Sequence, residues 1–416
     1  METKLKQISY PVNWNGYKTE QLELHIFADV HHKKYPCKVC KEPGCILLTE
    51  LFEQIINTSN QNQTYCDVFV EASIQEFEVD YTRKDKSYLI DMYQILKKTK
   101  DTKYVHIHTV DTRKLKIFHA YDPFDILYME MRDVYIAWNV DIQMIEEIKK
   151  TDAFLKGDVE KILKVTKELE EDINQTISLL IFDISQLING LLEFIGQSDV
   201  VKVLENIIPV FMKYKKTEEK RKYTKYVKTI DSLIERFTKL IELYKQDRMS
   251  LYYKALTELS MKNLDIAKYI DSYIRILIKE RLDIFQTQYQ IHKNNINELY
   301  EYFVELLIMI PSIIMDGYTL AKMFMSFQSG QKQILLYYGG YLHTENIRNF
   351  WNELSKIYPI QVIGRSGPQE NVGLLEASQC LENPKFEFIF SPWLGPTNPS
   401  SPKKSKKFGL KSEYLE

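Results

Sequence analysis

The sequence predicts an α/β protein: a mainly parallel sheet core flanked by helices, with a long all-helical insertion between its sheet-forming halves. Three observations predict it. Short apolar runs at 22–28 (LELHIFA), 67–70 (DVFV) and 104–110 (YVHIHTV) alternate with helical spacing in the first third, an order that favours parallel strands joined by helical crossovers. From 141 to 325, charged and apolar residues recur at i, i+3, i+4 and i+7, with few Gly or Pro between them. Strand character then returns at 333–338 (QILLYY).

The elements follow in chain order. Residues 22–28 read as a buried strand, and 46–56 (ILLTELFEQII) have the spacing of a helix. Residues 67–70 form a second short strand that ends at Glu71, and 104–110 alternate as a third. In the helical section, Ile230, Leu233, Ile234, Phe237, Leu240, Ile241 and Tyr244 make one stripe. Such stripes bury against each other in antiparallel pairs; no sustained heptad with regular flanking charges argues for coiled-coil assembly instead. Beyond 333–338 come Gly339, Gly340 and His343, a helical stretch at 344–357, and strand candidates at 360–363 and 386–390 (FEFIF). The expected layout is therefore 1–140 for the N-terminal half of the core, 141–325 for the insertion, 326–398 for the C-terminal half and 399–416 for a tail. That tail is rich in Pro, Ser and Lys, so it reads as disordered and basic; Lys403, Lys404, Lys406 and Lys407 would suit nuclear import or an anionic surface.

Composition narrows the function classes. The chain has 416 residues, 44% hydrophobic and 27% charged, enough for a large core. Its net charge of −2 gives no basic field, so nucleic acid is not an expected partner. Heavy use of Lys, Ile, Tyr and Asn is typical of A/T-rich coding sequence, as in some protists and large DNA viruses. Residues 1–20 are polar and mixed in charge, unlike a secretory signal, which points to a cytoplasmic protein. The apolar segments 178–195 and 302–325 carry charges, and the second is interrupted by Pro311. Both read as buried helices, so no membrane span is expected. Five cysteines, an odd count, argue for reduced thiols.

The polar residues that could carry chemistry fall at strand ends. The first strand runs into Ala28-Asp29-Val30-His31-His32, the second into Glu71, and the late strand into Gly339-Gly340 and then His343. In an open parallel sheet all carboxyl ends lie on one edge, where ligands bind, so His31, Glu71 and His343 should converge there. Two imidazoles and a carboxylate suit zinc or a similar divalent ion; they equally suit general acid–base chemistry. Gly340, three residues before His343, permits backbone angles and close approaches that a sharp turn needs; Ala28, three before His31, matches in size alone. Asp111 and Arg113 follow the third strand and line the same edge, or form a loop ion pair. His106 and His108 share a strand face near His119, and Asp316 and Tyr318 stand on a helix before the late strand. Cys37-x-x-Cys40-x4-Cys45, just after His31 and His32, offers an alternative metal knuckle, with Cys66 or a histidine as the fourth ligand, a set of plain reduced thiols, or a redox pair. No glycine-rich phosphate loop, G-x-S-x-G elbow or H-E-x-x-H helix is present.

These motifs resemble the superfamily of erythromycin esterases, ChaN haem-binding lipoproteins and TraB/PrgY/Tiki proteins. The resemblance rests on Phe27-Ala28-Asp29-Val30-His31-His32, Val68-Phe69-Val70-Glu71 and Leu336-Tyr337-Tyr338-Gly339-Gly340-Tyr341-Leu342-His343. It implies an α/β core with helices inserted between the two His turns, and site roles for His31, Glu71 and His343. Asp29 stands where Glu is usual, and Arg132 resembles a helical Arg of several members. It implies a hydrolase of ester or amide bonds, acting on a small-molecule or peptide substrate, metal-dependent or not; haem capture is a further possibility within the group. The alternative expectation is a catalytically inactive binding or structural protein, in a viral or host-interaction role, on the same fold.

Overall fold

The computed structural model describes residues 7–9, 13–29, 45–72, 88–99, 102–112, 123–195, 200–219, 224–244, 251–327, 331–366 and 380–382. Their elements are β1 (Gln7–Ser9), β2 (Asn13–Lys18), β3 (Leu22–Asp29), β4 (Cys45–Leu47), α1 (Leu48–Asn62), β5 (Tyr65–Val70), α2 (Tyr88–Lys98) and β6 (Val105–Thr109). The helical section follows as α3 (Pro123–Leu155), α4 (Val159–Ile195), α5 (Val200–Glu219), α6 (Thr224–Tyr244), α7 (Leu251–Lys262), α8 (Leu264–His292) and α9 (Ile296–Ser326). The chain returns through β7 (Gln333–Gly340), α10 (Tyr341–Ser355), β8 (Gln361–Ser366) and β9 (Cys380–Glu382). The expected strand at 386–390 and tail at 399–416 lie outside the described residues.

The main sheet has six strands in the order β6-β5-β7-β3-β2-β8. Strands β6, β5, β7 and β3 are parallel, and β2 runs antiparallel to both β3 and β8. The late strand β7 thus inserts between β3 and β5, so the two sheet-forming halves complete one sheet. The register places Asp29 opposite Gly340 and Val70 opposite Tyr338. A smaller sheet pairs β4-β1-β9.

Two-residue alternation sends each strand to both faces. Cys66, Val68, Val70, Ile334, Leu336 and Tyr338 pack with Leu51, Phe52 and Ile55 of α1 and with Met92 and Leu96 of α2. Leu24, Ile26, Phe69, Leu335 and Tyr337 pack instead with α9 and with Ile347, Phe350 and Trp351 of α10, in a core continuous with the helical section. Burial on both faces explains why these strands read as apolar runs. Among the polar groups inside the sheet, His25, fully buried, accepts from Trp14 Nε1 at 3.1 Å and meets Glu23 Oε1 at 2.8 Å. The indole can only donate, so Nδ1 is the acceptor and Nε2 carries the proton toward Glu23.

Four details differ from the expectation. Strand β2 (NWNGYK) was read as part of a polar terminus; it is strand because Trp14 and Tyr17 are buried against its neighbours, a tertiary effect that local composition hides. Helix α3, which carries Arg132, runs from Pro123 to Leu155 and so crosses position 141 without a break. Helix α9 continues through Pro311. By length and composition α9 could cross a membrane, but 78% of its apolar window is buried inside the protein. Last, α10 starts directly after β7, so His343 stands in a helix first turn rather than a loop.

Candidate functional site

Of the three residues expected to converge, Glu71 and His343 are described, and they meet at the carboxyl end of the parallel strands. Glu71 follows β5, and its backbone N–H continues the ladder by donating to Tyr338 O at 3.0 Å. Tyr93 of α2 donates its hydroxyl to the Glu71 carbonyl. The Glu71 carboxylate accepts through Oε2 from the backbone N–H of Gly340 at 2.5 Å. Gly340 is the N-cap of α10, so this carboxylate sits where the helix end is partially positive.

His343, one turn into α10, is gripped from both sides of its ring. Nδ1 lies 2.6 Å from Asp316 Oδ1, and Nε2 lies 3.4 Å from Glu71 Oε1. The first is a short, charge-assisted hydrogen bond. The second is longer than one, so Nε2 is the less committed nitrogen. Asp316 comes from α9 and is fully buried; its Oδ2 accepts from Asn346 Nδ2 at 2.7 Å. Burial pushes its carboxyl above the ordinary range, while His343 and the Asn346 hydrogen bond pull it back. Three parts of the chain thus meet in one line of groups, Asp316–His343–Glu71, with His343 and Glu71 only 6% and 8% exposed.

The neighbouring carboxylates lie on the same edge. Asp29, at the end of β3, is buried and accepts from Tyr338 Oη at 2.6 Å. Asp111 is buried beyond β6, its N–H donating to Ala72 O at 3.1 Å. The glycine requirement falls one residue earlier than the sequence suggests. Gly340 has φ −61°, open to any residue. A Cβ on Gly339 would instead lie 2.7 Å from Tyr337 Cζ, because the phenol folds back over it.

His31, His32, Arg113, His119, Cys37 and Cys40 lie outside the described residues. Arg132 is exposed on α3 and reaches Asp133 at 3.6 Å, facing solvent rather than the buried site. His106 and His108 flank Asp67 Oδ1 at 3.6 and 2.6 Å, and Gln333 Nε2 donates to Asp67 Oδ2 at 2.6 Å. Gln333 and Gly340 bound β7, so this cluster is roughly 23 Å from the His343 end at about 3.3 Å per residue. Cys45 is disulfide-bonded, against the expectation of reduced thiols. A disulfide sulfur is not a thiolate, so in this state Cys45 is no knuckle ligand, and the cysteines lose force as an argument for a cytosol-like compartment. Cys66 is a free thiol, buried under α1.

Among the described residues, no three His, Cys, Asp or Glu side chains stand ready-made around a metal position. Sequence reasoning underweighted Asp316, a charge inside a strongly apolar helix, which is the signal that could have found it. Tyr93, Tyr338 and Asn346 carried no such signal. No family model, curated protein or solved structure matches this chain.

Proposed function

We propose that this protein hydrolyses an ester or amide bond, with His343 Nε2 as the general base. The observation that carries the reading is the position of that nitrogen: at the carboxyl edge of the sheet, backed by a buried carboxylate on Nδ1 and 3.4 Å from Glu71 Oε1. An imidazole so held can take a proton from water and return it to the leaving group, with Glu71 balancing the charge that the ring acquires. The resemblance to the erythromycin esterase and Tiki superfamily supports the same residues.

A divalent metal fits part of this arrangement. His343 Nε2 and Glu71 Oε1 stand at a separation that two ligands take on one ion with bonds of about 2.0–2.2 Å. Asp316 on Nδ1 is the outer partner that metal-binding histidines commonly have. His343 and Glu71 would hold the ion, and His31 is the further ligand that the resemblance implies. Bound there, it would polarise a carbonyl or acidify water.

Near-complete burial of His343 and Glu71 supports the second reading, a non-catalytic binding or structural protein. The test is hydrolysis of a panel of nitrophenyl esters and peptide anilides by the parent and by His343→Ala, with and without added zinc. Turnover by the parent that is lost in the variant supports the proposal. A parent inactive under every condition, or a variant as active as the parent, overturns it.

A further inference from the structure

We infer that Asp316 is a positioning residue for His343, and that the packing of α9 in the helical section sets its position. This inference rests on the proposed acid–base role of His343 but concerns a different property, the identity of the nitrogen that bears the proton. The Asp316 carboxylate has two oxygens and two partners on α10: Asn346 Nδ2 at 2.7 Å and His343 Nδ1 at 2.6 Å. Asn346 can only donate through that nitrogen, so Oδ2 is taken and Oδ1 faces the ring. Both flanking groups are carboxylates, but Asp316 Oδ1 is at 2.6 Å and Glu71 Oε1 at 3.4 Å, so the nearer acceptor draws the imidazole proton to Nδ1 and leaves the lone pair on Nε2. Without that anchor the competing tautomer, with N–H on Nε2 directed at Glu71, would be favoured, and the base would be lost.

The anchor is supplied from outside the sheet. Asp316 is followed by Gly317, where α9 lies against Tyr252 of α7 and Ile274 of α8. A Cβ there would lie 2.6 Å from Tyr252 Cε2 and 2.8 Å from Ile274 Cγ1. Both neighbours are buried, and Tyr252 Oη reaches Asp271 on α8 at 3.3 Å. With both neighbours packed in the core, relief of such a contact calls for a shift of α9 relative to α7 and α8. Because α9 carries Asp316, the closeness of that crossing fixes the reach of the carboxylate to His343. The helical section is therefore part of the site, not only its cover, and a change at the crossing is transmitted to the His343 ring.

Nitrogen-15 spectra of the full chain read the tautomer directly, because protonated and lone-pair ring nitrogens resonate far apart. The parent should show His343 with its proton on Nδ1. Asp316→Leu removes the acceptor, so the signal should shift toward the Nε2–H form, and any ester or amide turnover should fall about 100-fold or more. Gly317→Ala, which removes no group from the site, should shift it in the same direction. Ile230→Ala on α6, fully buried, lowers stability at a helix outside the crossing and should leave the spectrum unchanged. A parent with its proton on Nε2, or an unchanged His343 signal in folded Asp316→Leu and Gly317→Ala, would overturn the inference. Absence of turnover with the expected spectra would count against the hydrolase alone.

Discussion

Replacing Gly339 by Ala tests how the turn before His343 is built. The new Cβ would meet Tyr337 Cζ at 2.7 Å and Cε1 at 3.0 Å, with the phenol oxygen closer still. Carbon–carbon contacts settle near 3.5–4.0 Å, so the ring must retreat by roughly 1 Å. Tyr337 is fully buried between the sheet and the helical section and has no space to do so. Overpacking of this kind costs about 1–3 kcal/mol. Tyr337→Leu removes all three clashing atoms, so in the double variant the clash disappears and the two losses should fail to add by a similar amount. Urea unfolding curves for the parent, both single variants and the double variant, compared at equal slope, give that coupling. Additivity within about 0.5 kcal/mol would refute the steric account of Gly339.

Three further outcomes follow from the same structure. Tyr338→Phe removes the hydroxyl that donates to buried Asp29 at 2.6 Å, and should destabilise by about 1–3 kcal/mol in urea titration. Asn263→Ala removes the side-chain oxygen that accepts from Ile266 N at 3.1 Å at the start of α8, and should cost about 0.5–2 kcal/mol. Burial, with some help from Asp67, pushes the Cys66 thiol up to about 12. At pH 8 it stays protonated and sheltered, so mass spectrometry should find it unlabelled by iodoacetamide in the folded protein and labelled after unfolding.

Much of the fold was legible because the central strands are buried on both faces and therefore write themselves as apolar runs. The runs at 22–28 and 333–338 lie within β3 and β7, which end further on at Asp29 and Gly340. The antiparallel strand β2 was not legible: Asn13, Asn15 and Gly16 carry no strand signal, and only its neighbours bury it. The site was partly legible for the same topological reason. Once β3, β5 and β7 are parallel, Asp29, Glu71 and Gly340 must share an edge, and His343 follows within one helical turn. Asp316 was harder, since its partner depends on how α9 lies over the sheet. Arg132 entered through the resemblance alone; its side chain is exposed on α3 beside Asp133, and the rotation of a helix is not something a motif gives. Cys45 was misread because a count of thiols does not reveal pairing.

In the proposed function His343 and Glu71 act as one hydrolytic unit, their Nε2 and Oε1 3.4 Å apart. A kinetic cycle tests it most directly: kcat/KM on the best ester or amide substrate for the parent, His343→Ala, Glu71→Gln and the double variant. Groups that work as a unit are strongly non-additive, so the double variant should be no slower than His343→Ala alone. Losses that multiply, or single variants that match the parent, would contradict the claim.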